Sequence, residues 1–341
     1  MSNSTKNAVY GLALLTLMLA VYVYRNVNQM QLMKAEGKTM GTTYTVKYLD
    51  ANAQDYGKEI DSILVKFNEC LSTYIPTSEI SVFNAGNEIS FKLPFFYPVL
   101  QASKEIHRVS EGAFDPTVMP LVKSWGFGPS KKDSIPQQKV DSLLKFVDFN
   151  LLTFDEKKLS KSKAGVQIDF NAIAQGYATD VIEEFLRSKG IENYMIDIGK
   201  EIICRGVNEK QEIWKIGIEN PKSEENEENQ SIQAILQVKN KAIATSGNYR
   251  NFYVKDGKRY AHTINPKSGY PVQHSLLSAT VIADKCMTAD AYATVCMVLG
   301  KEKALEMIAK HKLNLEVFFV YEEDGKIKTY ASAGLEKMLV K

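Results

Sequence analysis

Apolar residues recur at helical spacing in the first half of the chain. Residues 56–74 carry them on one face and predict an amphipathic helix that Pro76 closes. Residues 97–110 predict a second helix, which Gly112 stops. Apolar and polar residues alternate in 42–48, which predicts a strand.

The second half has many short strands between fewer helices. A strand-like run at 164–168 leads into a helix that follows Asp169 and ends at Gly190. Further helices are predicted at 287–299 and after Lys301. Further strands are predicted at 194–204, 214–219, 232–238, 242–246, 276–283, 315–321 and 326–330. Because strands and helices do not alternate regularly, the pattern indicates an α+β fold, with mixed sheets and packed helices. The glutamate-rich run 221–230 predicts a solvated loop.

Residues 8–24 form an uncharged run that is apolar on every face, between Lys6 and Arg25. The run has the minimum length of a membrane-spanning helix, and no small-residue cleavage site or cysteine follows it. A buried core helix is the weaker alternative, because such helices usually have a polar face. We therefore predict an uncleaved signal-anchor and polar tether in residues 1–36, with 26–38 as the tether. Residues 37–341 then form one globular domain.

Composition narrows the classes of function. The net charge is +2, and no basic stripe with interleaved aromatic residues occurs, so we predict no nucleic-acid partner. Four cysteines lie far apart without the spacing of a zinc site. Buried free thiols are expected, with a disulfide between Cys286 and Cys296 as an alternative.

Residues 169–180, DFNAIAQGYATD, have features of an anion site. Unpaired N–H groups and the macrodipole make a helix N-terminus attractive to anions, and Asp169 lies at the predicted junction. The small residues Ala172, Ala174 and Gly176 would let a bulky phosphorylated ligand approach the backbone. The alternative is that Asp169 is a plain N-cap.

Asp290 and Thr294 lie four residues apart and share one face of the helix predicted at 287–299. A carboxylate and a hydroxyl are hard oxygen ligands suited to Mg²⁺. The alternative is that Asp290 caps the helix or faces solvent. Its neighbours are small or apolar, however, so a buried carboxylate there would need a partner.

Three other segments are candidates for a site. Residues 112–128 are too apolar for a surface loop, and they line a slot for a planar ring or form a packed connection. Residues 244–250, ATSGNYR, place hydroxyls and glycine at a strand end. His262 lies in YAHTINPKSGYP, although a lone histidine is more often structural than catalytic.

Taken together, these segments resemble the ApbE family, the FAD:protein FMN transferases, from about Gly37 to Gly334. The shared motifs occur in family order. They are MGTTY at Met40, LSTYIPTSEISVFN at Leu71, GAFDPTVMPLVKSWGFG at Gly112, DFNAIAQGYATD at Asp169, IDIGKEI at Ile196, ATSGNYR at Ala244, HTINPKSGYP at His262 and TADAYAT at Thr288.

The resemblance implies an ApbE-like fold and an activity. Such enzymes move the FMN half of FAD onto a Thr or Ser hydroxyl of a target protein and release AMP, typically on membrane redox subunits that face outward. It therefore implies FAD as substrate and Mg²⁺ as cofactor. The outward-facing targets agree with the anchor predicted from the apolar run, which would attach the chain to the inner membrane with the domain on the periplasmic side. The residues implied to contact FAD are Met40, Tyr74, Ala113, Phe114, Asp115, Asp169, Gln175, Thr263 and Ile264. Those implied to bind Mg²⁺ are the carbonyl of Ala172, Asp290 and Thr294.

The chain departs from the family pattern at several positions. Phe170 and Asn171 replace paired glycines or serines, Gln175 replaces a lysine or glutamate, and Lys200 replaces a glycine.

The transfer to a threonine hydroxyl needs a proton acceptor, for which His262 is the first candidate and Asp290 the second. The alternatives are an FAD pyrophosphatase, a flavin-binding scaffold without turnover, and a purely structural anchored protein.

Overall fold

The structure is a computed structural model that describes residues 3–27, 30–126, 135–220, 232–248, 252–255, 258–261 and 263–340. Its helices are α1 (Asn3–Val27), α2 (Gly57–Leu71), α3 (Glu79–Ala85), α4 (Phe96–Val109), α5 (Met119–Trp125), α6 (Gln137–Leu144), α7 (Ala174–Ser188), α8 (Cys286–Leu299), α9 (Lys301–Lys310) and α10 (Ala333–Glu336). Its strands are β1 (Gln31–Thr39), β2 (Thr42–Asp50), β3 (Glu88–Ser90), β4 (Leu152–Phe154), β5 (Lys158–Lys161), β6 (Tyr194–Ile198), β7 (Glu201–Arg205), β8 (Trp214–Glu219), β9 (Ile232–Val238), β10 (Lys241–Gly247), β11 (Phe252–Lys255), β12 (Lys258–Ala261), β13 (Leu276–Ala283), β14 (Glu316–Glu323) and β15 (Lys326–Ala331). The predicted loop at 221–230 lies outside the described residues.

A large sheet with the strand order β1-β2-β6-β7-β10-β13-β14-β15 forms the centre of the fold. Helices pack on it, as the α+β prediction requires. The sheets are antiparallel in every pairing of the described strands rather than mixed. The physical reason is that tight turns join several consecutive strands, and such turns can connect only antiparallel neighbours.

The first two strands form a hairpin. β1 pairs with β2 from Gln31↔Asp50 to Thr39↔Thr42, and Ala35 is buried in the core. The tether prediction for 26–38 is therefore wrong from Gln31 onward, and the predicted domain boundary between residues 36 and 37 falls inside β1. The polar composition of β1 gave no strand pattern in the sequence, because an edge strand needs few apolar side chains when its backbone is paired.

Helix α8 is buried almost all round, which explains its continuous small and apolar sequence. It packs against α7, β10 and β13. The four cysteines are buried and free, which confirms the expectation of thiols and excludes the alternative Cys286–Cys296 disulfide.

The opposite face of the large sheet is covered by the β8–β9 hairpin. The alternating residues Trp214, Ile216 and Ile218 of β8 join a second core cluster on that face. Trp214 also donates a hydrogen bond from Nε1 to the carbonyl oxygen of Arg205, at 3.0 Å. This packing places β8 beside the β6–β7 turn.

The segment before α7 differs from the prediction in two ways. Residues 164–168 are not a strand, and α7 begins at Ala174 rather than directly after Asp169. The side chain of Asn84 accepts a hydrogen bond from the N–H of Ile168 (2.8 Å) and donates one to its carbonyl oxygen (2.9 Å). A side chain thus satisfies the backbone groups that a strand partner would have paired.

Residues 3–27 form the N-terminal helix α1, on which Leu12, Leu15 and Leu17 are exposed. Within the part of the chain that the structure describes, no helix combines the length and the apolar character needed to cross a membrane.

Candidate active site

A cavity of about 700 Å³ lies where the β6–β7 turn and the end of β10 meet α7 and α8. Strand β8 forms one wall, and the segment between α4 and α5 forms another. The volume is within the range of about 300–1,000 Å³ that is typical of ligand sites. The predicted site residues that line the cavity are Ala113, Phe114, Asp115, Asp169, Ala172, Gln175, Thr263, Ile264, Asp290 and Thr294.

Asp290 lies at a close contact between α7 and α8. Its Oδ2 accepts a hydrogen bond from the N–H of Gly176, at 3.0 Å. A Cβ added at Gly176 would lie only 2.7 Å from the Cβ of Asp290, so this approach requires glycine. The prediction that Gly176 makes room for a ligand is therefore wrong, because it makes room for the helix that carries Asp290.

Asp180 fixes the start of α8 from the same helix, α7. Its two carboxylate oxygens accept hydrogen bonds from the N–H groups of Cys286 (2.7 Å) and Met287 (3.0 Å). These are N–H groups of the first turn, which have no partner within the helix. Burial raises the pKa of Asp180 and that of Asp290 to about 7, and the backbone N–H groups oppose the shift in each case. Helix α7 thus sets the position of α8, and with it that of Asp290.

The oxygen atoms around Asp290 suit a divalent cation. Among the described residues, only Oδ2 of its carboxylate accepts a hydrogen bond, which leaves Oδ1 for a ligand. Thr294 lies one turn further along α8, and its Oγ1 is 3.2 Å from the Oγ of Ser246. Ala172 lines the same cavity just before α7. A carboxylate, a hydroxyl and a carbonyl are the oxygen ligands that Mg²⁺ accepts, so these residues fit that ion.

Among the residues that the structure describes, acidic side chains outnumber basic ones in the lining of the cavity. The carboxyl residues of its lining are Asp115, Asp169, Asp197, Glu201, Glu219 and Asp290, whereas the basic ones are Lys200 and Lys215. Burial and the nearby carboxyl of Asp290 raise the pKa of Glu201 well above its usual range. A cavity with this charge attracts cations and repels anions.

The segment that follows α4 both lines the cavity and packs into the fold. Asp115 accepts hydrogen bonds from the N–H (2.8 Å) and the hydroxyl (2.6 Å) of Thr117 and from the N–H of Phe149 (3.0 Å). Its carboxylate is therefore engaged in holding the loop. Trp125 is buried and donates from Nε1 to the carbonyl oxygen of Gly269, at 2.8 Å. The described part of the run 112–128 is therefore a packed connection that also lines the cavity, and the binding of a planar ring there stays a prediction. Residues 127 and 128 lie outside the described residues.

Asp169 links two walls of the cavity. Its N–H donates to the carbonyl oxygen of Pro116 (2.8 Å), and its carboxylate accepts from the N–H of Asn171 (2.8 Å). Burial raises its pKa. Asp169 closes a local turn and is not the N-cap of α7, which begins five residues later. On the opposite wall, Thr263 donates its hydroxyl hydrogen to the side-chain oxygen of Asn248, at 2.8 Å.

Comparison with known proteins places this geometry in a family. A model of the ApbE family matches residues 40–319. The chain belongs to the ApbE family. It is 38% identical to the FAD:protein FMN transferase of Haemophilus influenzae over 317 residues, which cover 89% of this chain and 90% of that protein. It is 36% identical to the protein of the same name from Vibrio cholerae, with 89% and 92% covered.

Solved structures of ApbE proteins have the same fold. The flavin transferase ApbE of Vibrio cholerae matches with a TM-score of 0.79 and 34% identity, covering 91% of this chain and all of that one. The apo flavinyl transferase ApbE of Pseudomonas stutzeri matches with a TM-score of 0.82 and 31% identity, covering 91% and 97%. The predicted ApbE-like fold is thereby confirmed.

Two residues implied by the ApbE resemblance, Met40 and Tyr74, do not line the cavity. Met40 lies in the β1–β2 turn with a left-handed backbone (φ +52°), and Tyr74 is 78% exposed after α2. His262 lies outside the described residues, as do Tyr249 and Arg250 of the segment 244–250.

Lys200 and Glu201 are among the cavity residues that were not predicted as part of the site, although both lie in the ApbE motif IDIGKEI. Lys200 adopts φ +83° at the position where the family pattern has glycine, and its Nζ forms an ion pair with Glu219 of β8. Glu201 begins β7 and is buried. One sequence feature could have identified Glu201 as a site residue: it is a single carboxylate directly after a turn and directly before the apolar run Ile202–Cys204.

Proposed function

We propose that the chain is a Mg²⁺-dependent FAD:protein FMN transferase. It moves FMN from FAD onto a Thr or Ser hydroxyl of a target protein, with which FMN forms a phosphoester bond, and it releases AMP. Membership of the ApbE family and relatives named for this activity support the proposal.

The acidic cavity is the observation that carries the proposal. FAD brings an anionic pyrophosphate, which the six carboxyl residues in the described part of the lining would repel and its two lysines would only partly offset. A divalent cation at Asp290 and Thr294 would reverse this repulsion at the point where the phosphates must bind. A site for FAD in this cavity therefore requires the cation.

When bound, Mg²⁺ supplies charge neutralisation and Lewis acidity to the pyrophosphate. Asp290, Thr294 and the carbonyl oxygen of Ala172 would hold it. The acceptor hydroxyl oxygen attacks the riboflavin-side phosphorus, the bond from that phosphorus to the bridging oxygen breaks, and AMP leaves with that oxygen. The hydroxyl proton passes to a base, for which His262 is the first candidate. Asp290 is the second, because a carboxylate that holds a cation is the weaker base.

The acceptor and the location of the chain are also part of this proposal. We infer that the acceptor is a membrane redox subunit and that residues 8–24 attach the chain to the cell inner membrane. The catalytic domain would then lie on the periplasmic side. The uncharged apolar run and the outward-facing targets typical of the family support this inference.

The decisive experiment combines the full chain, FAD, Mg²⁺ and a candidate redox subunit, followed by intact mass measurement of the subunit. We expect a mass gain equal to FMN minus water, with AMP released in step. Changing the acceptor threonine to alanine should abolish labelling and most AMP release.

His262→Ala should slow transfer while FAD binding stays near normal, because a base acts on the nucleophile and not on the binding of FAD.

The same assay tests the alternative functions. If FMN and AMP accumulate at equal rates with and without the acceptor, the chain is an FAD pyrophosphatase. If FAD binds but neither product forms under any metal or acceptor condition, the chain is a flavin-binding scaffold.

A further inference from the structure

Glu201 has a buried carboxyl oxygen that the fold leaves without a hydrogen bond. The residue is 6% exposed, and its Oε2 has no partner within the described residues. The other such side-chain atom in that part of the chain is the Oγ of Ser103, which does not line the cavity. Because an unpaired buried carboxyl destabilises a fold, one that lines a cavity indicates a missing ligand.

Helix α7 fixes both Glu201 and Asp290. Gly176 in its first turn donates to the Asp290 carboxylate. Thr179, one turn later, lies with its hydroxyl 3.2 Å from the carbonyl oxygen of Glu201 and 3.0 Å from that of Gln175. Adjacent turns of one helix thus hold the carboxylate of Asp290 and the backbone of Glu201, and both residues line one cavity.

Within the described part of its lining, the cavity provides little basic charge to balance this pair. Lys200, the residue before Glu201, forms an ion pair with Glu219 on β8. Lys215 is exposed on the same strand, β8. Two buried carboxyl groups with so little basic compensation are the arrangement that a divalent cation stabilises.

We propose that Glu201 belongs to the divalent-cation site, where its Oε2 binds the cation or one of the cation's water ligands. The inference rests on the proposed function, because it adds a residue to the metal set of Asp290, Thr294 and Ala172. Glu201 would supply a second negative charge, which strengthens metal binding, and it would gain the partner that the fold alone does not provide.

Titration of the full chain with Mn²⁺, followed by electron paramagnetic resonance of the free ion, tests this assignment without measuring turnover. The titration is made with and without FAD. Glu201→Gln keeps the shape and removes the charge, and we expect it to raise the Kd for Mn²⁺ at least tenfold. Glu201→Asp keeps the charge and should retain more affinity than Glu201→Gln. The matched control Glu184→Gln, at an exposed position of α7, should change the Kd less than twofold.

A thermal melt in EDTA separates loss of a ligand from loss of the fold. Glu201→Gln should melt at or above the wild-type temperature, because it removes an unpaired buried carboxyl, and its Mg²⁺-induced rise in Tm should shrink.

If Glu201→Gln binds Mn²⁺ as wild type does while Asp290→Asn does not, the role of Glu201 is refuted and the metal proposal stands. If wild type binds no Mn²⁺ with or without FAD, the metal proposal falls and this inference falls with it. If Glu201→Gln melts well below wild type in EDTA, the role of Glu201 is structural and the inference is also wrong.

Discussion

At the scale of single residues, the cavity depends on carboxyl groups that the fold buries. Asp290 has one oxygen bonded to Gly176, Asp115 is engaged by Thr117 and Phe149, and Glu201 has an unpaired oxygen. Burying such groups costs free energy unless each has a partner. We assign the carboxyls of Asp290 and Glu201 to the cation.

Asp290→Ala should reduce kcat/KM for transfer by roughly tenfold more than Thr294→Ala, because it removes a formal charge as well as a ligand. Activity should also disappear in EDTA and return with Mg²⁺. The measurement is AMP release in step with flavin on the acceptor, and Thr294→Ser, which keeps the hydroxyl, is the control. Full turnover by protein shown to be metal-free by elemental analysis would refute the metal requirement.

Gly176→Ala should destabilise the protein by about 1–3 kcal/mol, because the added Cβ forces α7 and α8 apart. The free energy of unfolding in urea measures this effect. Gly217→Ala is the matched control, since a Cβ there would meet Ile232 at an ordinary 3.5 Å and should be nearly neutral. Equal stability of the two variants would show that the helices are not in forced contact at Gly176.

At the scale of elements, α7 and α8 brace one another at two points. The Gly176 N–H bonds to Asp290 of α8, and Asp180 of α7 bonds to the first N–H groups of α8. Two contacts about one turn apart fix both the distance and the rotation of α8. Thr294 therefore reaches the cavity on the same face as Asp290.

This bracing predicts a pH dependence of stability in the metal-free protein. Burial raises the pKa of Asp180 and that of Asp290 from 3.8 to about 7, so the folded state holds protons that the unfolded state has lost. Their contribution to stability is fully present below pH 3.8 and is lost as pH rises through about 7. We expect the Tm in EDTA to fall between pH 5 and pH 8, and Asp180→Asn should make that fall shallower. A Tm that rises over this interval would contradict the assignment.

At the scale of the whole molecule, the large sheet separates two cores and places the cavity at its end. Helices cover one face, whereas the β8–β9 hairpin covers the other through Trp214 and its neighbours. Residues from both faces of the sheet line the cavity, and they belong to segments that are far apart in the chain.

The location of the chain is also a property of the whole molecule. If residues 8–24 anchor it with the domain on the periplasmic side, protease added to intact spheroplasts should digest the domain. Protein detected by antibody after digestion measures this, and lysed cells are the control. Protection in intact spheroplasts with degradation after lysis would mean that the orientation is wrong.

The sequence by itself determined the features that depend on local spacing. Helical periodicity predicted α2 and α4, alternation predicted β2, and the motifs predicted the ApbE family. It also placed Asp290 and Thr294 on one face, because four residues complete about one helical turn. The resemblance to the ApbE family, which rests on short local motifs, named the site residues, and ten of them line one cavity.

Only the tertiary structure decided the features that depend on distant residues. Gly176 serves a helix contact with a residue 114 positions away, and Asn84 replaces a strand partner for Ile168. The polar strand β1 forms because β2 pairs with its backbone, and Glu201 is buried only because sheet and helix enclose it. Hydrogen bonding and burial are properties of the assembled surroundings, and no local pattern of residues encodes those surroundings.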